Sequence, residues 1–119
     1  MTRLFGRIEK GWGHELIWAT NDNYCGKLLN FNSGSKCSLH FHAQKDETWH
    51  VLSGKFTVRY IDTSDSSDHF VDLSPGDIWH NRPLLPHQLI CLEAGSIIEV
   101  STADNVNDNY RISPGDSQK

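Results

Sequence analysis

Residues Gly34 to Gly54 read GSKCSLHFHAQKDETWHVLSG, and the periodicity of that stretch decides the fold. His40 and His42 stand two apart, a step that places both side chains on one face of a strand but far from a shared face in a helix. The segment reads as a strand, with Cys37, Leu39 and Phe41 on the opposite face. Ala43 to Asp46 is a polar turn of hairpin length, and the Trp- and Val-bearing run Glu47 to Leu52 reads as a second strand. If the second strand folds back on the first, the Glu47 carboxylate lies beside both imidazoles. Nitrogen and oxygen donors grouped in this way suit a divalent transition metal.

Upstream, Met1 to Gly13 begins with alternating apolar positions and ends in Gly11-Trp12-Gly13, a bend that displays Trp12 as a packed aromatic lid in preference to a ring that stacks on a ligand. Glu15 to Ala19 and Tyr24 to Phe31 read as strands joined by the turn residues Asn21-Asp22-Asn23. Downstream, Phe56, Val58 and Tyr60 alternate with Lys55, Thr57, Arg59 and Ile61, the period of a strand with one packed face. Thr63 to Asp68 is a polar hairpin loop with a solvent-facing His69 beside it. Phe70 to Leu73 returns as a strand, Ser74-Pro75-Gly76-Asp77 is a turn, and Ile78-Trp79 opens the next strand. No segment sustains a helical apolar period and no internal repeat is visible, so the chain reads as an all-β sandwich or barrel. The apolar set Cys37, Leu39 and Phe41 predicts that the outer face of one sheet is covered by a second subunit. The expected assembly is a homodimer built from sheet faces or an exchanged amino-terminal strand.

A chain of 119 residues fits one domain, here taken as residues 1–119 with a core near 9–111 and a polar tail at 112–119. The net charge of -4 comes without a stripe of Lys and Arg, which argues against a nucleic-acid partner. No apolar run approaches the length of a membrane span, and a cytoplasmic location is expected. Cys25, Cys37 and Cys91 are an odd number without a C-x-x-C, and read as buried small hydrophobes rather than a disulfide framework. Cys91 is the one expected to border a pocket.

From Gly34 through His40, His42 and Glu47 to Gly54, the chain matches the first motif of the cupin superfamily, G-x5-H-x-H-x3or4-E-x6-G, at every specified position. The second motif of that superfamily, G-x5-P-x-G-x2-H-x3-N, falls on Gly76 to Cys91. Gly76 and His87 keep their separation, Pro83 sits one position late, Leu84 replaces the inner glycine, and Cys91 replaces the asparagine. The resemblance implies a cupin-type jelly-roll (double-stranded β-helix) barrel. It also implies one divalent metal ion per chain held by His40, His42, Glu47 and His87, with Zn, Fe, Mn and Ni all compatible. His80, before the Pro-rich turn, reads as peripheral.

Among cupins, the W-G of Trp12-Gly13, the run Tyr24 to Leu29, the segment DETWHVLSG and the run Ile97 to Thr102 most resemble the mannose-6-phosphate isomerase (type II) domain. Gly11 stands where those domains carry proline, and Asp108-Asn109-Tyr110-Arg111 resembles their tail without its final glycine and arginine. The resemblance implies a metal-dependent isomerase or epimerase of a sugar or sugar phosphate. The alternatives are a cupin-type metal-dependent dioxygenase and a non-catalytic sugar-binding cupin. Glu99, between Ile98 and Val100, reads either as a pocket-facing catalytic base or as an outward residue. Arg111 and Lys45 are candidate phosphate ligands, and Arg59 is either a ligand contact or a solvated strand-edge cation.

Overall fold

The computed structural model describes residues 6–119, so the apolar alternation expected over residues 1–5 lies outside the described residues. Among the described residues, eleven strands follow in order: β1 (Arg7–Lys10), β2 (Gly13–Thr20), β3 (Tyr24–Phe31), β4 (Leu39–Phe41), β5 (Glu47–Val51), β6 (Lys55–Asp62), β7 (Ser67–Leu73), β8 (Ile78–Asn81), β9 (His87–Glu93), β10 (Gly95–Thr102) and β11 (Tyr110–Ser113). They form two antiparallel sheets, β1-β2-β3-β10-β5-β8 and β11-β4-β9-β6-β7, the jelly-roll arrangement expected from the sequence. Between the sheets lies the alternate residue of each strand: Leu29 and Phe31 from β3, Phe56 and Val58 from β6, Leu89 from β9, Ile97 from β10. Burying each of these side chains is worth about 1.5–3 kcal/mol relative to exposure. Trp12 stacks on Phe31 at 4.3 Å between ring centroids, and Phe56 meets the same ring edge-on at 5.3 Å, closing one end of the core.

Two expectations need correction. First, β4 and β5 do not pair as a hairpin ladder. β4 pairs with β9 and β11, β5 with β10 and β8, and residues 42–46 cross from one sheet to the other. Glu47 therefore faces the histidines from the opposite wall. Second, Cys37, Leu39 and Phe41 are not one outward patch, because the strand begins only at Leu39 and its alternation does not extend back to residue 37. Cys37 lines the cavity between the sheets, Leu39 is buried, and Phe41 stacks on Tyr110 of the chain's own β11 at 5.0 Å. The polar tail at 112–119 packs back on the barrel. Asp116 bonds Lys36 through both its backbone and its carboxylate, and the Ser117 hydroxyl accepts from Gly11 N.

Leu84, at the place where the second motif carries glycine, adopts φ +70°. That left-handed conformation costs a side-chain-bearing residue about 1–2 kcal/mol. It aims the Leu84 N–H at the His42 carbonyl, 2.7 Å away, tying the turn before β9 to the end of β4. Leu84 itself is exposed, so its side chain gains little burial in return.

Candidate metal centre

β4 and β9 are antiparallel neighbours with His40 directly opposite His87, and His42 follows one step past the end of β4. One ring nitrogen from each of His40, His42 and His87 can be chosen so that all three lie within 4.8 Å of one another. The backbone fixes which nitrogen is free. His40 Nδ1 lies 3.0 Å from the Ser38 carbonyl, His87 Nδ1 lies 2.9 Å from the Leu85 carbonyl, and His42 Nδ1 bonds the Asp108 carbonyl. A carbonyl can only accept, so each Nδ1 carries the proton and each neutral ring offers its Nε2 lone pair. Burial holds His40 at about 3, with the neighbouring His87 and His42 rings adding to the effect, and burial likewise lowers His42. Both rings are neutral at pH 7, as metal ligands must be.

A cation fits the fourth side of this cluster. His87 Nε2 is fully buried, makes no hydrogen bond, and stands 3.0 Å from Glu47 Oε1. Two lone pairs facing each other at that distance are unfavourable unless a positive charge lies against both. Glu47 is itself buried, and Asn81 Nδ2 donates to its Oε1 at 3.2 Å. Three imidazole nitrogens and one carboxylate oxygen match the donor set of a divalent transition metal, and a four-donor site of this kind leaves positions open for substrate.

Behind Glu47 lies a charged network. Lys45 Nζ is 3.4 Å from Glu47, 3.2 Å from Glu99 and 3.3 Å from Asp104. Lys27 Nζ is 3.1 Å from Asp104 and 3.8 Å from Glu15. Burial works to lower the Lys45 ammonium, but Glu99, Glu47 and Asp104 outweigh it and hold Lys45 charged above its ordinary value. Glu99 also accepts a 3.0 Å bond from Trp49 Nε1. Burial and then the negative charge of Glu47 push Glu99 up to about 7. These groups line a cavity of about 390 Å3 between the sheets, whose other wall is apolar: Trp12, Leu29, Cys37, Leu89. That volume suits a small metabolite.

The structure thus brings His40, His42, His87, Glu47, Glu99 and Lys45 to one cavity and sets Arg111 at its mouth. Arg59 is elsewhere. It projects from the outer face of β6, an interior strand of its sheet, and forms a two-pronged ion pair with Asp68, away from the cavity. Lys45 is no free phosphate ligand, because three carboxylates already surround its ammonium. Cys91 is buried in the core with its Sγ near the Glu93 carbonyl, and Cys37 takes the cavity position instead. His80 pairs with Asp46 on the outside, in keeping with a peripheral residue.

Sequence reasoning assigned no role to Asp108. Its carboxylate accepts the backbone N–H of Ala43, Gln44 and Lys45 at 2.7, 3.1 and 2.9 Å, while its carbonyl orients His42. These bonds hold its carboxyl below the usual range despite the burial that would raise it. An acid in a turn-prone segment sixty residues away gives no periodic signal of this role.

Comparison with known proteins agrees with this construction. The family model described as "Cupin domain" matches residues 27–101, more than half of the chain. The solved structures similar to it include oxalate decarboxylase from Bacillus subtilis, at a TM-score of 0.76 and 21% identity, with 91% of this chain and 30% of that one covered. The Lactobacillus farciminis oxalate decarboxylase formate complex is similar at a TM-score of 0.78 and 16% identity, covering 94% and 37%. A third, from work on the Mn(II) centres of the B. subtilis enzyme, gives 0.75 and 21%, covering 89% and 29%. The chain spans about a third of the length of these proteins, and identities this low establish the fold alone. No curated protein matches the chain in sequence. With the barrel, the inward histidine cluster and a family match that contains His40, His42, Glu47 and His87, the chain belongs to the cupin family.

Proposed function

We infer that the protein is a metal-dependent isomerase or epimerase whose substrate is a small hydroxylated molecule with an anionic end, of which a sugar phosphate is the leading example. The supporting observation is the placement of charge around the cavity. The two interior ammonium groups, Lys27 and Lys45, are neutralised by Glu15, Glu47, Glu99 and Asp104. The lining cations that have no carboxylate within 4 Å among the described residues are Lys10 and Arg111, both exposed at the mouth. A substrate seated with an uncharged polyol inward and a dianion outward meets both conditions, whereas a compact dicarboxylate would carry its charge into the neutralised interior.

A divalent ion held by His40, His42, Glu47 and His87 would supply Lewis acidity toward substrate oxygens. The remaining work belongs to this chain's own residues. Lys45 and Trp49 donate to Glu99 and fix its carboxylate on the cavity wall beside Glu47. From there Glu99 takes a proton from a substrate carbon and returns it to the neighbouring one or to the opposite face. Trp12, Leu29 and Leu89 form the apolar wall of the cavity.

The test uses metal-loaded protein in deuterated water with a panel of aldose and ketose phosphates, monitored by NMR for exchange at the carbon beside the carbonyl. Exchange that falls about a hundredfold or more in Glu99→Gln, with metal content unchanged, supports the reading. Oxygen consumption with ferrous iron would instead identify a dioxygenase, and saturable sugar binding without exchange a binding module. Activity confined to oxalate or other small dicarboxylates would overturn the charge argument.

A further inference from the structure

The Glu47 carboxylate is held by a chain of hydrogen bonds that begins behind the cavity wall. Strands β5 and β8 pair with Glu47 opposite Asn81 and Trp49 opposite Trp79, so two polar and two indole side chains form a rectangle on the inner face of the six-stranded sheet. Each indole N–H has a polar acceptor. Trp49 donates across to Glu99, its partner on β10, and Trp79 Nε1 donates along its own strand to Asn81 Oδ1 at 2.6 Å. Asn81 passes the interaction on, because its Nδ2 donates to Glu47 Oε1 at 3.2 Å.

Chemistry fixes the sense of this chain. An indole nitrogen only donates, so it must face the oxygen end of the Asn81 amide, and the NH2 end is left toward Glu47. Turning the amide over would set its NH2 against the indole N–H and its oxygen against the carboxylate. Asn81 is 1% exposed, so water cannot relieve either clash. Trp79 therefore decides, through Asn81, what Glu47 meets. The Trp79 ring is itself steadied by Tyr60 at 5.4 Å between centroids, and Tyr60 stacks on His69 of edge strand β7 at 4.9 Å.

Glu47 depends on such support more than the three imidazoles do. Each ring is tied at Nδ1 to a backbone carbonyl. The Glu47 side chain turns about three bonds, comes from the opposite sheet, and must keep Oε1 3.0 Å from His87 Nε2. Its Oε2 is near Lys45, but that ammonium is shared with Glu99 and Asp104. The Asn81 NH2 is directed at Glu47.

We propose that Asn81 and Trp79 are positioning residues for the metal centre. Trp79 sets the sense of the Asn81 amide, and Asn81 holds Glu47 Oε1 toward the histidines before any ion arrives, so the fourth donor is preformed. The assignment rests on the four-donor centre and not on the isomerase reading, so a failed proton-exchange assay leaves it standing. A core amide that only filled space would stabilise the barrel without acting on the ion.

Cobalt(II) affinity of the full chain, measured by competition with a chelating dye, tests it. Asn81→Ala should lower the affinity about 10–100-fold, the usual effect of losing a partner of a metal ligand. Trp79→Phe keeps an aromatic ring, removes the indole N–H, and should lower the affinity about three- to tenfold, the scale of one net hydrogen bond. In an Asn81→Ala background Trp79→Phe should have no further effect. In a Glu47→Ala background, where three histidines still hold the ion weakly, neither substitution should have one. Circular dichroism establishes that each variant is folded, and Trp79→Phe, at a half-buried position, carries the test if Asn81→Ala does not fold. Unchanged affinity in either single variant overturns the proposal. Losses of equal size with and without Glu47 also overturn it, since they would assign the pair to the barrel wall rather than to the carboxylate.

Discussion

Replacing Asp108 tests whether the metal site depends on a clamp that supplies no metal ligand. Its carboxylate receives three backbone N–H groups from the crossing between the sheets, and its carbonyl holds the His42 ring. Asp108→Ala strands three donors, each costing about 1–3 kcal/mol when left unpaired and buried. The segment is near the cavity mouth, where water can reach some of them, so the net loss is about 2–4 kcal/mol in the metal-free protein. With an unfolding entropy of about 2.1 cal/mol/K per residue over 119 residues, a loss of about 3 kcal/mol lowers Tm by about 12 °C. Once the clamp is released, His42 loses the acceptor that selects its tautomer, and metal affinity should drop about 10–100-fold. Asp108→Asn retains one acceptor oxygen and should fall between. Metal affinity comes from competition with a chelating dye, and stability from thermal unfolding of the metal-free protein. A lowered Tm with unchanged metal affinity would refute the idea that Asp108 presents His42.

His42→Ala should abolish stoichiometric metal binding while preserving the β-rich circular dichroism spectrum; full metal content by elemental analysis would exclude His42 as a ligand. In the metal-free protein, His40 at about 3 and His42 below 6.5 stay neutral in the fold, while the unfolded chain protonates them near 6.5. Stability should therefore fall as pH drops below 6.5, by about 1.4 kcal/mol per unit from His40 alone down to about pH 3, with His42 adding to the loss until it too is protonated in the fold. Glu99, held at about 7 against 4.5 unfolded, acts in the opposite direction over that interval, so Glu99→Gln should steepen the loss between pH 6.5 and 4.5. Urea titrations at half-unit intervals measure both slopes, and an unsteepened slope in the variant contradicts the assignment. Leu84→Gly relieves a φ of +70° at a gain of about 1–2 kcal/mol less about 0.5–1 kcal/mol of added chain entropy, so Tm should rise slightly; a fall would argue against the left-handed turn.

The fold was legible because strand alternation is short-range, and His40 and His42 share a face by that rule alone. Alternation misled at Cys37, where the strand had not yet begun. It was silent at Glu99, because Ile98 and Val100 on the outer face are as apolar as Ile97 on the inner one, and a strand apolar on both sides hides its orientation. Arg59 shares the outward parity of Lys55 and Thr57, so its position could have been read from Phe56 and Val58. His87 came only through the second motif, since its pairing with His40 spans forty-seven residues. Asp108 lay beyond any local rule, because its partners Ala43 to Lys45 are joined to it only by the folded barrel.

The interior polar groups behave as one electrostatic unit. Four carboxylates, Glu15, Glu47, Glu99 and Asp104, face two ammonium groups, Lys27 and Lys45, and the three imidazoles add no charge when neutral. Fully ionised, that set leaves two negative charges uncompensated in a site where solvent screens poorly. Two remedies are available: a dication on the four donors, or protons. The high value of Glu99 is the second remedy, since it arises from burial and from the charge of Glu47. A dication held by His40, His42, Glu47 and His87 would offset that charge and let Glu99 ionise nearer the usual carboxylate range. Metal occupancy and the protonation of Glu99 would then be coupled through Glu47 and Lys45, and the residue proposed to move the proton would be a competent base most readily with the metal donors filled.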